Sequence, residues 1–390
     1  MKKKIIILGS TGSIGKCTIE IINKNKNKFQ ILLLSTNINV KTLIKQAKKF
    51  NVRNLVINNF EEYTKAKAKY KNTKFKIYND FQCLNILLKK QKIFYAMISL
   101  VGIDGLKPTL NVIKYCKYVA IANKESLICG WNLIKKELVK YKTKFIPVDS
   151  EHFSILSLIN IRKFEDFEKI YITASGGPFL KKDKNKFNKI TLEQSLNHPN
   201  WKMGKKITID SSTMMNKVFE VIEAKNIFET TYKKISILIH PKSYVHAIVK
   251  FYGGTFKILA HEPDMKIPIL NSLFQKDLTF KKFDSKPLNL EIINNLNLTK
   301  VDYTKFPLVK LLKNLNDNSS QYETVLISIN DFFVSKFLKR KISYLELIKL
   351  IKFHANSKKF LNFRKLPVKN VTDVEKTRNY VYSKLETLGI

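Results

Sequence analysis

Short apolar runs alternate with longer amphipathic stretches through the first 150 residues. The runs at 5–8, 31–34, 55–57, 96–100, 118–121 and 144–148 are bounded by polar residues, which predicts buried strands. Between them apolar residues recur at helical spacing, as in 18–22 and 40–50. Wholly apolar strands separated by helices predict βαβ units and a parallel sheet. Further along, the pattern predicts strands at 169–173, 236–239 and 245–251, and helices at 153–159 and 212–228. The stretch 285–301 is polar and rich in Asn, which predicts a linker. From Phe306 onward the pattern is helical, and no internal repeat is visible.

Composition excludes a fibrous or globally disordered chain: 44% of the 390 residues are hydrophobic, against 12 Gly and 10 Pro. Charge is more unusual. Lys and Arg number 71 and Asp and Glu 31, a net charge of +40, which invites a nucleic-acid-binding interpretation. Only five of the basic residues are arginine, however (Arg53, Arg162, Arg340, Arg364, Arg378), and bidentate recognition of bases and phosphates is arginine chemistry. The lysines are spread along the whole chain among Asn, Ile, Phe and Tyr, residues with A/T-rich codons. Drift of exposed positions accounts for them, and no specific nucleic-acid partner is expected. Cys17, Cys83, Cys116 and Cys129 lie far apart with no CxxC pair, so neither a disulfide framework nor a zinc site is indicated. The first apolar run stops after four residues at Gly9, too short for a leader. No run approaches the roughly 18–20 residues of a membrane helix. No membrane partner and a cytoplasmic location are expected.

The first chemical motif is Gly9-Ser10-Thr11-Gly12-Ser13-Ile14-Gly15, between the first strand and the first helix. That is the place of a dinucleotide phosphate loop, although the spacing is GxxGxxG rather than GxGxxG. Gly9 would allow the tight turn, Gly12 the approach of the pyrophosphate, and Gly15 close packing of helix on sheet. The second strand ends in Ser35-Thr36-Asn37-Ile38-Asn39. An acid there would take the ribose hydroxyl of NAD, and its absence favours NADP.

The second set of motifs carries acids and phosphate ligands. In Pro147-Val148-Asp149-Ser150-Glu151-His152, read as a strand end, Asp149 and Glu151 share a face. The pair fits either solvent or a shared cation. Asp210-Ser211-Ser212-Thr213 reads as a helix start, and Asn216, Lys217 and Glu220 then fall on one helical face. Ser211, Asn216 and Lys217 would cradle a phosphate. Glu220 would complete a carboxylate set with Asp149 and Glu151, suited to the hard ions Mg²⁺ or Mn²⁺. Ser175-Gly176-Gly177 fits a common turn or an anion-binding nest. His198 and Trp201, in the polar stretch 198–204, fit either a buried structural Trp or a lid that covers substrate. Lys124, in Ala122-Asn123-Lys124-Glu125-Ser126 at the carboxyl edge of the sheet, is either one more surface lysine or the partner of a developing oxyanion.

Taken in this order, the motifs resemble one family, the 1-deoxy-D-xylulose 5-phosphate reductoisomerases. The matching stretches are 7–15, 122–126, 147–152, 175–179, 198–204, 210–217 with Glu220, 239–246 and 262–265, and 303–308 resembles the start of the family's last domain. The resemblance thus runs over essentially the whole chain. It implies an α/β chain with an N-terminal Rossmann-like NADPH domain (1–149), a central α/β catalytic and dimerisation domain (150–280), a linker (281–302) and a C-terminal helical bundle (303–390). It implies metal-assisted rearrangement of 1-deoxy-D-xylulose 5-phosphate, a phosphorylated sugar. Hydride transfer from NADPH would then give 2-C-methyl-D-erythritol 4-phosphate for non-mevalonate isoprenoid synthesis, in a homodimer.

The same resemblance assigns roles. Asp149, Glu151 and Glu220 would hold Mn²⁺ or Mg²⁺, and with Lys124 and His198 form the catalytic set. Ser175, Ser211, Asn216, Lys217 and His198 would bind the phosphate end, while Lys124, Ser150, Glu151 and Glu220 meet the substrate backbone under Trp201. Thr11, Gly12, Ser13, Ile14, Asn37, Ile38, Asn39, Asn123, Glu125 and Gly204 would meet the cofactor. Three departures stand out. Ile38 occupies the place of the family's Lys beside the 2′-phosphate. His261 replaces a Gly. The stretch Ile327-Ser328-Ile329-Asn330-Asp331 replaces Asn-Ala-Ala-Asn-Glu, which predicts looser packing of the last domain.

Overall fold

A computed structural model describes residues 2–89, 92–159, 167–275, 287–387 and 389. The start of the expected 281–302 linker lies outside the described residues. In chain order the first elements are β1 (Lys3–Leu8), α1 (Ser13–Lys24), β2 (Phe29–Thr36), α2 (Val40–Phe50), β3 (Asn54–Ile57), α3 (Phe60–Lys69) and β4 (Lys76–Tyr78). Then come α4 (Cys83–Leu87), β5 (Ile93–Ile98), α5 (Leu106–Ile113), β6 (Cys116–Ile121), α6 (Lys124–Tyr141) and β7 (Lys144–Pro147). The expected strands of this half are all present. They form one parallel sheet in the order β4-β3-β2-β1-β5-β6-β7. The order reverses between β1 and β5, so the crevice beyond their carboxyl ends is where a ligand binds in such sheets.

The chain continues with α7 (Ser150–Ile159), β8 (Phe167–Ala174), α8 (Leu192–Leu196), α9 (Lys205–Ser212), α10 (Met215–Ile227), β9 (Ile235–Ile239), β10 (Val245–Phe251) and β11 (Phe256–Ala260). After α11 (Lys266–Phe274) follow α12 (Leu290–Asn294), β12 (Thr299–Lys300), α13 (Tyr322–Leu338), α14 (Tyr344–Ala355), α15 (Lys358–Leu361) and α16 (Val371–Glu386). A mixed sheet runs β11-β10-β8-β9-β12, with β8 and β9 parallel and the other pairs antiparallel.

By their contacts the residues form two units. One comprises Met1–Ser126, Asn132–Asp149 and Met265–Ser285, the other Leu127–Trp131, Ser150–Asp264 and Lys286–Ile390. The core of the first contains Ile5, Ile7, Leu34 and Met97 of the central strands. Ile269, Leu273 and Phe274 of α11 close it, with Phe274 edge-on to Phe29 at 5.3 Å. No described helix is long and apolar enough to cross a membrane.

Two local expectations are corrected. Asp149 and Glu151 do not share a strand face. β7 ends at Pro147, which has no N–H to continue a ladder. Asp149 therefore lies in the turn, and Glu151 lies in the first turn of α7, where the helix dipole favours a negative charge. Likewise Asp210–Thr213 is not a helix start. α9 ends at Ser212, and Met214 adopts a left-handed φ of 63° before α10 begins at Met215. Asp, Ser and Thr are N-cap residues, so the stretch reads as a start, and the helix that precedes it, α9, was not expected.

Three strands escaped the pattern, β4, β11 and β12. Each is a sheet edge, and an edge buries too little to impose an apolar rhythm. Nor is α13 loosely packed at the altered stretch. Ile327 and Ile329 are buried, Asn330 donates to Asp210 at 2.7 Å, and Asp331 pairs with Lys206 at 2.8 Å.

Candidate active site

In the first unit the glycine loop is shaped by backbone contacts. Gly9 has φ +85°, and a side chain there would run into the carbonyl of Ser99. Its N–H donates to Ser35 Oγ at 2.7 Å, while Ser99 Oγ donates to the carbonyls of Leu8 and Gly9 at 2.8 and 3.1 Å. A Cβ on Gly15 would collide with the backbone of Gly9 and Ser10, so this glycine lets α1 start hard against the strand. Gly12 caps α1, and it and Ser13 are exposed. Gln46 belongs to none of the sequence motifs. Its amide clamps the loop from α2, donating to the Ser10 carbonyl at 2.8 Å and accepting from Ser10 Oγ at 2.7 Å. A buried Gln on an otherwise apolar helix face was the available signal.

At the end of β2, Thr36 Oγ1 bonds Thr11 Oγ1 at 2.7 Å and receives the Asn39 N–H at 3.2 Å. Asn39 caps α2 by accepting from Thr42 N–H at 3.2 Å. Asn37, Ile38 and Asn39 are exposed, Ile38 by 63%. Asn123 is buried and caps α6 through the Ser126 N–H at 3.0 Å. Its amide donates to the carbonyls of Leu100 and Gly102 and to Glu125 Oε2, all within 3.1 Å. The first-unit cofactor candidates thus surround the ends of β1, β2 and β6, and Ile14 half-buries beside them in α1. In the same unit Lys124 Nζ donates to Asp149 Oδ2 at 2.6 Å.

In the second unit two hubs form. The first is acidic. Lys217, in the first turn of α10, sends its ammonium to Glu151 Oε1 at 2.8 Å and also to Glu220 Oε2. Burial alone would pull the Lys217 pKa down, but these carboxylates outweigh it and hold the amine well above its ordinary range. Ser150 Oγ donates to Glu151 Oε2 at 2.5 Å, and Asn216 Nδ2 donates to Glu220 Oε1. Asn216 Oδ1 is buried with no hydrogen-bond partner. His152 anchors α7 to α10, bonding the Glu220 carbonyl at 2.9 Å.

The second hub is neutral. His198 Nδ1 accepts the N–H groups of Asn200 and Trp201 at 3.1 and 3.0 Å. The proton therefore sits on Nε2, which faces Ser175 Oγ at 3.2 Å and Ser211 Oγ at 3.1 Å. Burial, and then the charge of Lys217, push the His198 pKa down to about 4. Ser175 Oγ also receives the Gly177 N–H at 3.0 Å, and Gly176 and Gly177 both have positive φ. Asn200, which sequence reasoning passed over, fastens this loop by donating to the Pro241 carbonyl at 2.7 Å and Ser243 Oγ at 2.9 Å. Gly204 caps α9 at the loop's far end.

The geometry thus joins Glu151, Glu220, Asn216 and Lys217 in one hub and Ser175, His198 and Ser211 in the other. The acidic donors are oxygen only and already gather one positive charge, the Lys217 amine, between them. That is the chemistry of a hard divalent cation site. The residues present fit a metal of this class, and the glycine cradle fits a dinucleotide pyrophosphate.

Three family models match the chain. The model for 1-deoxy-D-xylulose 5-phosphate reductoisomerase covers residues 5–130, that for its C-terminal domain 145–228, and a further DXP reductoisomerase C-terminal domain 261–380. The 1-deoxy-D-xylulose 5-phosphate reductoisomerase of Pelagibacter ubique is 50% identical over 389 residues, covering 100% of both chains. That of Chloroherpeton thalassium is 37% identical over 99% of each. Among solved structures, the Zymomonas mobilis reductoisomerase in complex with NADPH is 29% identical, with a TM-score of 0.86 over 100% of this chain and 99% of that one. A DOX-P reductoisomerase in complex with NADPH, fosmidomycin and magnesium is 28% identical, with a TM-score of 0.89 over 99% of each. With its parallel dinucleotide sheet, its carboxylate hub and these matches, the chain belongs to the 1-deoxy-D-xylulose 5-phosphate reductoisomerase family.

Proposed function

We propose that the chain rearranges 1-deoxy-D-xylulose 5-phosphate and reduces the product with NADPH to 2-C-methyl-D-erythritol 4-phosphate. What supports this is the Glu151–Lys217–Glu220 cluster with the Ser175–His198–Ser211 hub, oxygen ligands suited to a hard cation and neutral donors suited to a phosphate. When bound, Mg²⁺ or Mn²⁺ supplies a Lewis acid for the substrate's carbonyl and hydroxyl oxygens, and NADPH supplies the hydride. Asp149, Glu151 and Glu220 would hold that ion.

Ser175, Ser211 and the Nε2–H of His198 donate to the phosphate, with Asn216 and Lys217 beside them. Binding the phosphate away from the reacting carbons provides energy to orient them. Lys124, paired with Asp149, keeps a cation where negative charge develops on the substrate oxygens. Ser150 and Glu151 orient the sugar backbone, and Trp201 keeps water away. Thr11, Gly12, Ser13, Ile14, Asn37, Ile38, Asn39, Asn123, Glu125 and Gly204 receive the dinucleotide. The threefold division at 149, 280 and 302 belongs to the same proposal.

The deciding assay follows NADPH oxidation with 1-deoxy-D-xylulose 5-phosphate, with and without Mg²⁺ or Mn²⁺. Metal-dependent oxidation is expected, and Asp149→Asn is expected to abolish it. Full turnover by that variant sinks the metal assignment. Comparable rates with NADH show that Ile38 has relaxed the choice between the two nucleotides.

We also propose a homodimer. Its support is edge strand β11, where Phe256 and Ile258 are 57% and 50% exposed. Light scattering is expected to return twice the chain mass, and Phe256→Lys with Ile258→Lys to return the monomer.

A further inference from the structure

Two stacked imidazoles, His246 and His261, have no part in the chemistry above. His246 lies where the β10–β11 register shifts between Val245 and Ala247, an irregularity that re-aims a side chain. Its imidazole is buried and stacks on that of His261, with centroids 3.8 Å apart and planes 18° apart. His246 Nε2–H donates to the His261 carbonyl at 3.3 Å. His261 is fixed in turn. Its backbone N–H donates to the Tyr244 carbonyl at 2.9 Å and its Nδ1–H to the Glu262 carbonyl at 2.7 Å.

The stack has a neighbour at each end. Trp201, in the loop that begins at His198, meets His246 edge-on at 6.1 Å. Phe153, two residues after Glu151 on α7, meets His261 edge-on at 6.0 Å. The order Trp201–His246–His261–Phe153 therefore runs from the phosphate-hub loop to the helix that carries an acidic-hub carboxylate. His261 Nε2 is buried without a hydrogen-bond partner. A phenyl ring in its place would keep the stacking face and forfeit one hydrogen bond, that from Nδ1–H to the Glu262 carbonyl.

We propose that His261 is a positioning residue, holding His246 against Trp201 so that the 198–204 loop is set relative to α7 before substrate arrives. The proposal rests on the reading of that loop as the cover of the phosphorylated substrate. An aromatic contact of this kind changes the population of an ordered arrangement by about three- to tenfold. The expected signature is therefore a change in KM rather than in the chemical step.

The test uses the full-length chain with Trp131→Phe, so that the remaining tryptophan emission reports Trp201 alone. His261→Ala is expected to shift that emission to longer wavelength and raise its quenching by acrylamide. It is expected to raise KM for 1-deoxy-D-xylulose 5-phosphate about three- to tenfold, with kcat and the KM for NADPH within twofold. His261→Phe, which keeps a ring face, is expected to restore both the emission and the KM. Unchanged emission and KM in His261→Ala overturn the proposal, as does a folded His261→Phe that restores neither. Absence of turnover in the unsubstituted enzyme overturns the function instead, and the Trp201 emission still decides whether the stack sets the loop.

Discussion

His198 illustrates how one residue's chemistry is set by its neighbours. Two backbone N–H groups occupy Nδ1, so the ring offers a neutral Nε2–H to whatever lies between Ser175 and Ser211. The depressed pKa, about 4 against an ordinary 6.5, has the same sense. Because the folded value lies below the unfolded one, the contribution to stability is present above pH 6.5 and is lost as pH falls toward 4. Nitrogen-detected NMR of the free protein is expected to show His198 titrating near pH 4, with the proton on Nε2 above that. A midpoint near 6.5 would show a solvated ring and remove the neutral donor from the scheme. Inorganic phosphate is expected to move the midpoint upward, since an anion beside the ring favours its charged form.

Two glycines at element ends carry opposite expectations. A Cβ on Gly15 has no room against Gly9 and Ser10, whereas one on Gly204 meets nothing within 4 Å, and Gly204 has an ordinary φ of −64°. Gly15→Ala is expected to cost about 1–3 kcal/mol, as overpacking does, and to weaken NADPH binding more than tenfold. Gly204→Ala is expected to cost no more than about 1 kcal/mol, the effect of alanine at a helix N-cap with no steric clash, and to leave NADPH binding within twofold. Urea unfolding and nucleotide titration of the two variants measure the contrast, and equal losses would mean that the loop is not closed as described. The α9–α10 break belongs to the same scale. The left-handed Met214 ends one helix and restarts another, so that Ser211 and Asn216 come from different helices.

Across the whole molecule, the +40 charge is a uniform field that draws in anionic substrates and repels itself. Within it one buried acid stands apart. Glu323, at the start of α13, accepts from Ser320 N–H and Oγ at 3.0 and 2.7 Å, and burial pushes its pKa up to about 7. Lys225 lies in the same region and is held below its ordinary value by burial. A carboxyl whose folded pKa exceeds its unfolded one binds its proton more tightly in the fold. Its contribution is full below pH 4.5 and is lost as pH rises through 7. The melting temperature is expected to fall by roughly 5 °C between pH 5 and 8 from this group, and Glu323→Gln is expected to flatten that slope. Differential scanning calorimetry at the two pH values decides it, and an unchanged slope in the variant would assign the titration elsewhere.

The sequence by itself determined the parallel sheet, because strands buried on both faces must be apolar throughout and their helices must be amphipathic. It also determined the glycine loop and the set of candidate ligands, since a phosphate cradle and a hard cation demand particular residue types. The edge strands β4, β11 and β12 left no such imprint, for want of burial. Only the tertiary structure decided that Asp149 and Glu151 belong to a turn and a helix rather than to one strand face. Only it showed that Lys217 serves two carboxylates, that His198 is a neutral donor, and that His246 stacks on His261. Lys217 and Glu151 are 66 residues apart, His198 and Ser211 are 13 apart, and His246 and His261, 15 apart, meet only because two strands pair. No local pattern records such meetings, because the energy that fixes them comes from burial in three dimensions.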